Sequence, residues 1–359
     1  KKKKLLQLGA DIQIHRQLTP ELIAAYWYIY QRSWKQAEPS TDFINWLLHF
    51  ASEQGQLRLG LLRIDGAPVA FQFWLVQQQQ AAIVKLSQDQ TFDALSPGTV
   101  LMAAMIDDVM TQDGVPIDAV VIGRNEGARL VACLASLTGQ VRRLVYVDSG
   151  SNDGSVELAT AAGAEVVALD MALPFTAARA RNAGLAVLAD NPPEFVQLVD
   201  GDCAVQPGWI AAALAGFVAH PAAVVLCGRR RERFPEASVY NALADREWDT
   251  PVGPALACGG DALMRFAAVQ AVGGYCGDLI AGEEPELCLR LRRAGGEVWR
   301  IAAEMTLHDA ALLRFGQWWR RMRRAGHAFA EGAALHGAGP DRHWLAETRR
   351  AVFWGVVLP

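Results

Sequence analysis

Apolar and polar positions in the first third of the chain follow helical spacing and then strand spacing. The run TPELIAAYWYIYQRSW (19–34) begins with a threonine cap and a first-turn proline, which predicts a helix. A second capped run, residues 40–55, predicts another helix. Residues 56–65 and 68–77 are apolar segments around an Asp-Gly turn, which predicts a hairpin, and residues 81–89 predict a third strand. The pattern indicates a small α+β lobe.

From residue 119 onward the pattern changes to short apolar strands that alternate with helical segments. Strands are predicted at residues 119–123, 142–148, 164–170 and 194–200. A strand that is apolar at every position is typical of one buried on both faces. The β-α-β-α order therefore predicts a doubly wound, mostly parallel sheet with right-handed crossovers.

Small, acidic and amide residues follow three of these four strands. They are GRNEG (123–127), DSGSNDGS (148–155) and DGD (200–202). Asp-Gly and Asn-Asp-Gly also form ordinary turns, so each segment by itself has a plain structural explanation. Ligands of such sheets bind beyond the carboxyl ends of the strands, so three segments together predict a binding site at that edge.

The pair Asp200 and Asp202 is the most specific of these features. Two carboxylates one residue apart at a strand end can share a hard divalent cation, and Mg²⁺ or Mn²⁺ prefers such oxygen ligands. Such an ion can neutralise the charge of a departing nucleoside diphosphate. The sequence contains no GxxxxGK[ST], and no GxGxxG follows the strand at 119–123, which argues against a P-loop enzyme and a dinucleotide dehydrogenase.

Composition narrows the class of protein. A length of 359 residues is typical of about two domains. The net charge of −4 lacks the basic excess of a nucleic-acid-binding protein. Six cysteines without CxxC spacing indicate buried, reduced thiols of a cytoplasmic protein, at positions 133, 203, 227, 258, 276 and 288.

Membrane signals are sparse. KKKKLL at the start lacks the apolar run of a secretory signal, and no apolar stretch reaches the ~18–20 residues that span a bilayer. The apolar run 351–359 fits either the start of a membrane helix or a buried terminal segment. The basic, aromatic run 314–327 fits either an anionic membrane surface or a solvated helix face. We expect a cytoplasmic protein that is peripheral at the inner face of the plasma membrane.

Several segments between residues 119 and 330 resemble, in order, the motifs of family-2 glycosyltransferases with the GT-A fold. The segments are VVIGRNEG, VDSGSNDGS, ARNAG, VDGDC, CGGDALMR and AGEEPELCLRLRRAGG. The resemblance implies a GT-A domain at residues 119–310, followed by a basic, aromatic helical region at 311–359.

The resemblance also implies roles for individual residues. The nucleotide-sugar would be bound by Arg124, Glu126, Asp148, Asp153, Arg179, Asn182 and Asp200. Asp202 and His308 would hold Mg²⁺ or Mn²⁺. Glu284 stands where the family has an aspartate, and would be the base that takes the proton of the acceptor hydroxyl. An acidic first turn that stabilises a helix is the alternative explanation of this segment, and both can hold together.

Five residues are expected on the acceptor side, namely Gly259, Gly260, Glu283, Gln317 and Arg320. The segment from Gln317 resembles the QxxRW motif of processive members. Arg321 stands where the motif has Trp, which argues against processive polymer synthesis.

Residues 1–118 resemble a different family. SWKQAEPSTDF, residues 57–76 and residues 83–101 resemble the GNAT-superfamily acetyltransferases of cellulose and exopolysaccharide loci, the CelD or BioF-like type, which are related to FemAB-type transferases. The resemblance stops at GVPID (114–118), before the acyl-CoA half-site would be complete. It implies a truncated lobe that is inactive or regulatory.

These observations predict a metal-dependent, inverting glycosyltransferase of the hexosyltransferase type. It would move a sugar from a nucleotide-sugar, with a UDP-sugar favoured, to a hydroxyl of a saccharide or lipid-linked acceptor in polysaccharide or glycolipid synthesis. Two alternatives stay open. One is an acyl-CoA-dependent acyltransferase whose glycosyltransferase-like domain only docks carbohydrate, and the other is a membrane scaffold for polysaccharide assembly.

Overall fold

The computed structural model describes residues 5, 8–77, 80–112 and 115–357. Most of the KKKKLL segment, Gly114 and the last two residues of the apolar terminal run lie outside the described residues. The chain forms two compact units, residues 1–115 and 116–359.

The described residues of the first unit contain an antiparallel sheet in the order β1-β2-β3-β4, together with three α-helices and a 3-10 helix (Gln90–Leu95). Its strands are β1 (Ala10–His15), β2 (Leu57–Ile64), β3 (Ala67–Gln77) and β4 (Gln80–Gln88). Its helices are α1 (Pro20–Gln31), α2 (Thr41–Glu53) and α3 (Pro97–Gln112). Asp65 and Gly66 both have positive φ, which is the conformation that a two-residue hairpin turn requires.

The strand period of two separates the core of this unit into two layers. Alternate side chains of β2 and β3 pack with α1 and α2, including Leu59 and Phe71. The intervening ones, such as Leu62, pack with α3. A Cβ on Gly60 would collide with Met105, so α3 lies directly on the β2 backbone.

The second unit contains a mostly parallel sheet in the order β11-β13-β10-β12-β8-β5-β6-β7, with β9 paired to β13. Its strands are β5 (Ile117–Gly123), β6 (Arg143–Asp148), β7 (Glu165–Ala168), β8 (Phe195–Asp200), β9 (Cys203–Val205), β10 (Ala223–Glu232), β11 (Gly253–Ala255), β12 (Ala262–Arg265) and β13 (Glu297–His308). Its helices are α4 (Ala128–Leu137), α5 (Ser155–Ala161), α6 (Ala177–Leu188), α7 (Trp209–Ala219), α8 (Val239–Glu247), α9 (Phe266–Ala271), α10 (Glu283–Arg293), α11 (Phe315–His336) and α12 (Leu345–Val357). The predicted α/β class is confirmed for this unit.

The strand order brings the predicted site together. β8, β5 and β6 are neighbouring parallel strands, with Ile122 opposite Asp200 and Gly123 opposite Asp148. The three polar segments therefore leave the sheet at one edge. β12 lies between β8 and β10 and is antiparallel to both, so the loop before β12 also reaches this edge.

Helices α11 and α12 end the described chain. None of the helices in the described part of the chain is long and apolar enough to cross a membrane. The apolar residues at the end of α12 are exposed on this unit, with Val352 at 61% and Trp354 at 51%. The alternative of a buried terminal segment is therefore wrong for residues 351–357.

Candidate functional site

Asp200 and Asp202 lie on the turn that joins β8 to β9. The amide of the intervening Gly201 donates to the carbonyl of Ile122 at 2.8 Å, which holds the turn against the end of β5. The side chains of Asp200 and Asp202 are 27% and 22% exposed. Both carboxylates are therefore fixed at the strand edge and remain accessible to a ligand.

Asp202 is paired with His308. Pairing of β9 with β13 places Cys203 opposite His308, and the imidazole Nε2 lies 3.0 Å from Asp202 Oδ2. Burial opposes the charged form, but the hydrogen bond and charge of His308, helped by Arg230, bring the pKa of Asp202 down to about 2. Asp202 is thus an anion at neutral pH.

The donor atoms at this pair fit a hard divalent ion. Potential ligand atoms of Asp202, Cys203 and His308 lie within 4.8 Å of one another. Burial raises the pKa of the Cys203 thiol well above its usual value, so this thiol stays protonated. A carboxylate oxygen and an imidazole nitrogen remain, and this donor set suits Mn²⁺ or Mg²⁺ completed by diphosphate oxygens.

Asp200 belongs to a second cluster, centred on Arg181. The guanidinium donates to Asp200 Oδ1 and Glu283 Oε1, both at 2.8 Å, and lies 3.0 Å from Glu284 Oε1. Arg181 is 2% exposed. Three carboxylates therefore share one buried cation.

Burial and neighbouring carboxylates give Glu284 an unusually high pKa. Burial and the like charges of Glu283 and Asp200 raise the pKa of Glu284 to about 7, against the opposing charge of Arg181. A carboxylate with this pKa exchanges a proton near neutral pH, as a general base must.

Arg179 was predicted to bind the nucleotide-sugar, whereas Arg181 was not predicted as a site residue. Successive helical residues are about 100° apart, so two positions separated by one residue point to different faces of α6. Arg179 instead donates to the backbone carbonyls of Asp170, Leu173 and Pro174. Only the ARNAG segment, whose arginine is Arg181, could have pointed to the correct residue.

Two further residues at the cluster were not selected. Asp261 is fully buried and accepts from the amide of Asp200 at 3.1 Å and from Thr306 Oγ1 at 2.7 Å. Arg230 places Nη2 3.3 Å from Asp200 Oδ2 and Nε 3.5 Å from Asp261 Oδ2. The signal for Asp261 was CGGDALMR, where an aspartate follows two glycines.

The two glycines predicted on the acceptor side lie against these charged groups. A Cβ on Gly260 would lie 2.5 Å from Asp200 Oδ2 and 2.7 Å from Arg181 Nη2. A Cβ on Gly259 would lie 3.7 Å from Arg230 Nη1. Position 260 therefore requires glycine for the close approach of its backbone to Asp200.

Asp148 and Asp153, predicted on the nucleotide, shape their own loop. Asp148 is buried and accepts from the amides of Gly150 and Ser151 at 3.0 and 2.9 Å. Asp153 accepts from the amide and hydroxyl of Ser155, and the hydroxyl bond lowers the pKa of Asp153. These bonds hold the loop after β6 at the open edge.

The loop after β5 lies beside the loop after β6. The amide of Asn125 donates to Ser151 Oγ at 2.9 Å, and Arg124 is exposed. Glu126 lies 2.7 Å from Arg129, and burial together with the charge of Asp202 raises the pKa of Glu126. Arg124 and Glu126 thus lie in a loop at the same edge as Asp202.

The remaining predicted residues have mainly structural contacts. Asn182 exchanges two hydrogen bonds with the backbone of Tyr275, at 2.8 and 2.9 Å. Gln317 accepts from the amides of Leu313 and Arg314 and so caps α11. Glu283 is buried against Arg181, and Arg320 is exposed on α11.

A cavity of about 230 Å³ adjoins the carboxylates. Arg230, Trp248, Gly259 and Asp261 line it. The Trp248 ring lies 5.0 Å from the Arg230 guanidinium and 4.8 Å from the ring of His308. The cavity therefore has one aromatic wall and one charged wall.

Comparison with known proteins identifies one domain in each part of the chain. Residues 1–124 match the family model described as the acetyltransferase (GNAT) domain, and residues 118–252 match the model of glycosyl transferase family 2. Both resemblances predicted from the sequence are thereby confirmed over these ranges. A TPR repeat-containing protein of Synechococcus elongatus is 45% identical over 58 residues, which are 16% of this chain and 14% of that protein.

Two proteins of known structure are similar to part of this chain. Glucosyl-3-phosphoglycerate synthase from Mycobacterium tuberculosis, in complex with phosphoglyceric acid, is 21% identical, with a TM-score of 0.40 over 55% of this chain and 73% of that chain. The same protein was also crystallised with Mn²⁺, UDP and glucosyl-3-phosphoglycerate. TarS of S. aureus (residues 1–349) is 14% identical, with a TM-score of 0.43 over 60% of this chain and 65% of that chain.

Proposed function

We propose that the second unit is a metal-dependent, inverting glycosyltransferase that moves a sugar from a nucleotide-sugar to a hydroxyl acceptor. The observation that carries the proposal is the meeting of Asp202, Asp200 and Glu284 at the carboxyl edge of one parallel sheet, where Arg181 links the last two. The match of residues 118–252 to glycosyl transferase family 2 supports it independently.

The residues divide the reaction between them. A divalent ion held by Asp202 and His308 would supply positive charge to the leaving diphosphate. Glu284 takes the proton of the acceptor hydroxyl while the hydroxyl oxygen attacks the anomeric carbon. The bond from the anomeric carbon to the diphosphate breaks on the opposite face, and the electron pair leaves with the nucleoside diphosphate. One displacement inverts the anomeric centre.

Arg181 and Asp261 are positioning residues in this scheme. Arg181 orients Asp200 and Glu284 through its ion pairs, and Asp261 fixes the backbone of Asp200. Asp200 stands beside the metal pair, where it can accept hydrogen bonds from hydroxyls of the donor. The loops that contain Arg124 and Asp148 would bind the nucleoside.

The finer identity of the substrates is also proposed. We favour a UDP-hexose donor and a saccharide or lipid-linked acceptor, in polysaccharide or glycolipid synthesis at the inner face of the plasma membrane. Exposed Trp319 on α11 and exposed Phe353 on α12, at 51% and 56%, support contact with a membrane surface.

Calorimetric titration with UDP and with GDP, with and without Mn²⁺, tests the donor site. We expect metal-dependent binding of one nucleotide to the wild type and its loss in Asp202→Asn. Asp190→Asn is the matched control, because Asp190 is exposed and its ion pair within the described residues is with Arg143, beyond the other end of β8. Equal binding by both variants would contradict the assignment.

Acyl transfer by the first unit is the second candidate function, because residues 1–124 match the acetyltransferase domain. Lys85 Nζ lies 2.6 Å from Glu38 Oε2, and Tyr30 donates to the same oxygen at 3.3 Å, so the unit does contain a cluster of titratable groups. Consumption of acetyl-CoA with free thiol release would support this candidate. Its absence over a range of saccharide acceptors would remove it.

A further inference from the structure

Helix α11 carries four basic side chains on one face. Arg320, Arg323, Arg324 and His327 follow the i, i+3, i+4, i+7 spacing, which places them within an arc of about 100°. All four are exposed. The face therefore presents a concentrated positive charge to solvent.

Few acidic groups compensate this charge. In the described chain, Arg320 and Arg323 form no ion pair, and Arg324 donates to the carbonyl of Ile280 at 3.5 Å. His327 lies 3.2 Å from Glu331 on the same helix. Like charges at i, i+3 and i+4 destabilise a helix, so an anion bound here would relieve repulsion.

The basic face lines a concave surface. Arg320, Arg323, Arg324 and His327 form one wall of a cavity of about 380 Å³, and Ile280 and Ala281 form the other. A neighbouring cavity of about 510 Å³ shares Ala281, Arg320 and Arg324 with it. We call the two together the α11 groove. A concave groove suits a compact anion, whereas the flat headgroup layer of a bilayer meets convex faces.

The groove borders the segment that leads to the proposed base. Residues 280–282 precede α10, whose first turn contains Glu284. Gly282 is packed so closely that a Cβ there would lie 2.7 Å from the Trp344 ring and 3.0 Å from Ala328. The wall formed by Ile280 and Ala281 is therefore braced against α11.

We propose that the α11 groove binds the phosphate of a phosphate-bearing acceptor, whose attacking hydroxyl lies toward Glu284. Guanidinium groups bind phosphate oxygens through paired N–H donors, which gives orientation as well as affinity. This inference rests on the proposed function and adds the chemical class of the acceptor. A neutral saccharide makes no use of the three guanidinium groups.

Binding of phenyl phosphate to the full chain, measured by calorimetry in EDTA, tests the proposal without turnover. We expect saturable binding to the wild type, weakened at least tenfold in the double variant Arg320→Gln/Arg324→Gln. The control Arg349→Gln/Arg350→Gln removes the same charge from exposed positions of α12 and should bind like the wild type. Absent binding, or equal weakening in both variants, overturns the proposal.

A second experiment, with lipid vesicles, distinguishes a phosphate-binding pocket from a membrane-binding surface. Vesicles that contain phosphatidylglycerol are sedimented with each variant. Loss of vesicle association in Arg320→Gln/Arg324→Gln, with no binding of phenyl phosphate to the wild type, would make the groove a membrane contact and overturn the proposal. Metal-dependent nucleotide binding, lost in Asp202→Asn, reports on the proposed function separately, so the two failures are distinguishable.

Discussion

The two sheets of this protein differ in where the polar residues that follow their strands lie. In the antiparallel sheet of the first unit, successive strands end at opposite edges, so polar groups that follow the strands are divided between two sides. In the second unit, β8, β5 and β6 are parallel, and all three end at one edge. Parallel topology therefore concentrates acidic and amide residues in one place, which explains why the candidate chemistry lies there.

We expect the largest loss of stability from a substitution in the charged cluster at this edge. The substitution Arg181→Met removes the cation that Glu283, Glu284 and Asp200 share. Breaking a buried ion pair in this way lowers the free energy of unfolding by about 3–5 kcal/mol. We expect a lower free energy of unfolding by urea denaturation. Lys85→Met in the first unit removes a cation from a 26%-exposed site and should cost clearly less. Equal losses of unfolding free energy in the two variants would contradict this difference between the two sheets.

Glu284→Gln tests the chemistry of the edge without removing the cation. The amide keeps the size of the side chain but cannot take a proton, so kcat should fall by roughly 10²–10⁴-fold while nucleotide binding is retained. Single-turnover transfer from a UDP-sugar measures this. The matched change Glu38→Gln in the first unit should leave transfer unchanged. A Glu284→Gln enzyme with wild-type kcat would exclude Glu284 as the base.

A pair of glycine substitutions sharpens the comparison. A Cβ added at Gly60 collides with Met105 in the core, and one added at Gly260 meets Asp200 and Arg181. Overpacking of either kind costs about 1–3 kcal/mol. We expect both alanine variants to melt earlier, but only Gly260→Ala to weaken metal-dependent nucleotide binding. If Gly60→Ala weakened it equally, stability alone would explain both results.

The smallest effect is a pH dependence of transfer. The pKa of Glu284 is raised to about 7, and its ionised form is the base, so kcat/KM should rise about tenfold between pH 6 and pH 8. The same raised pKa favours the neutral carboxyl in the folded state. Its contribution to stability is therefore full below the usual value of 4.5 and is lost as the pH rises through about 7.

The contribution of Asp202 to stability depends on pH in the opposite sense. With a folded pKa of about 2, its contribution to stability is present above its ordinary value of 3.8 and is lost as the pH falls toward 2. Titration of Asp202 should therefore cause no change in kcat/KM between pH 5 and pH 9. A rate that is flat across pH 6–8 in the wild type would contradict the role of Glu284.

Local pattern predicted most of the secondary structure. β6 and β8 were each predicted within one residue at their starts, from the strands expected at residues 142–148 and 194–200. The Asp-Gly turn predicted the hairpin of β2 and β3, and the alternation of strands with helices predicted that β5, β6 and β8 are parallel. Each of these signals lies in residues that are close along the chain, whereas the order of the strands in the sheet was not predicted.

The partners of the charged residues were harder to predict. Arg179 and Arg181 are separated by one residue, and the orientation of α6 places Arg181, the arginine of ARNAG, at the carboxylates. Asp148 holds backbone amides of its own loop, and Asn182 holds the backbone of Tyr275. A polar side chain near a site can bind the ligand or the loop, and spacing does not distinguish the two.

The sequence by itself determined most of the helices and strands up to residue 200, the parallel direction of β5, β6 and β8, and the polar segments that follow them, because these features depend on residues close along the chain. Only the tertiary structure decided the order of the strands in the sheet and which groups share a cation. β12 is inserted beside β8 and brings Asp261, sixty-one positions after Asp200, to the amide of Asp200. Burial and charge at such contacts set the pKa of Glu284 and Asp202, and both are properties of residues distant along the chain.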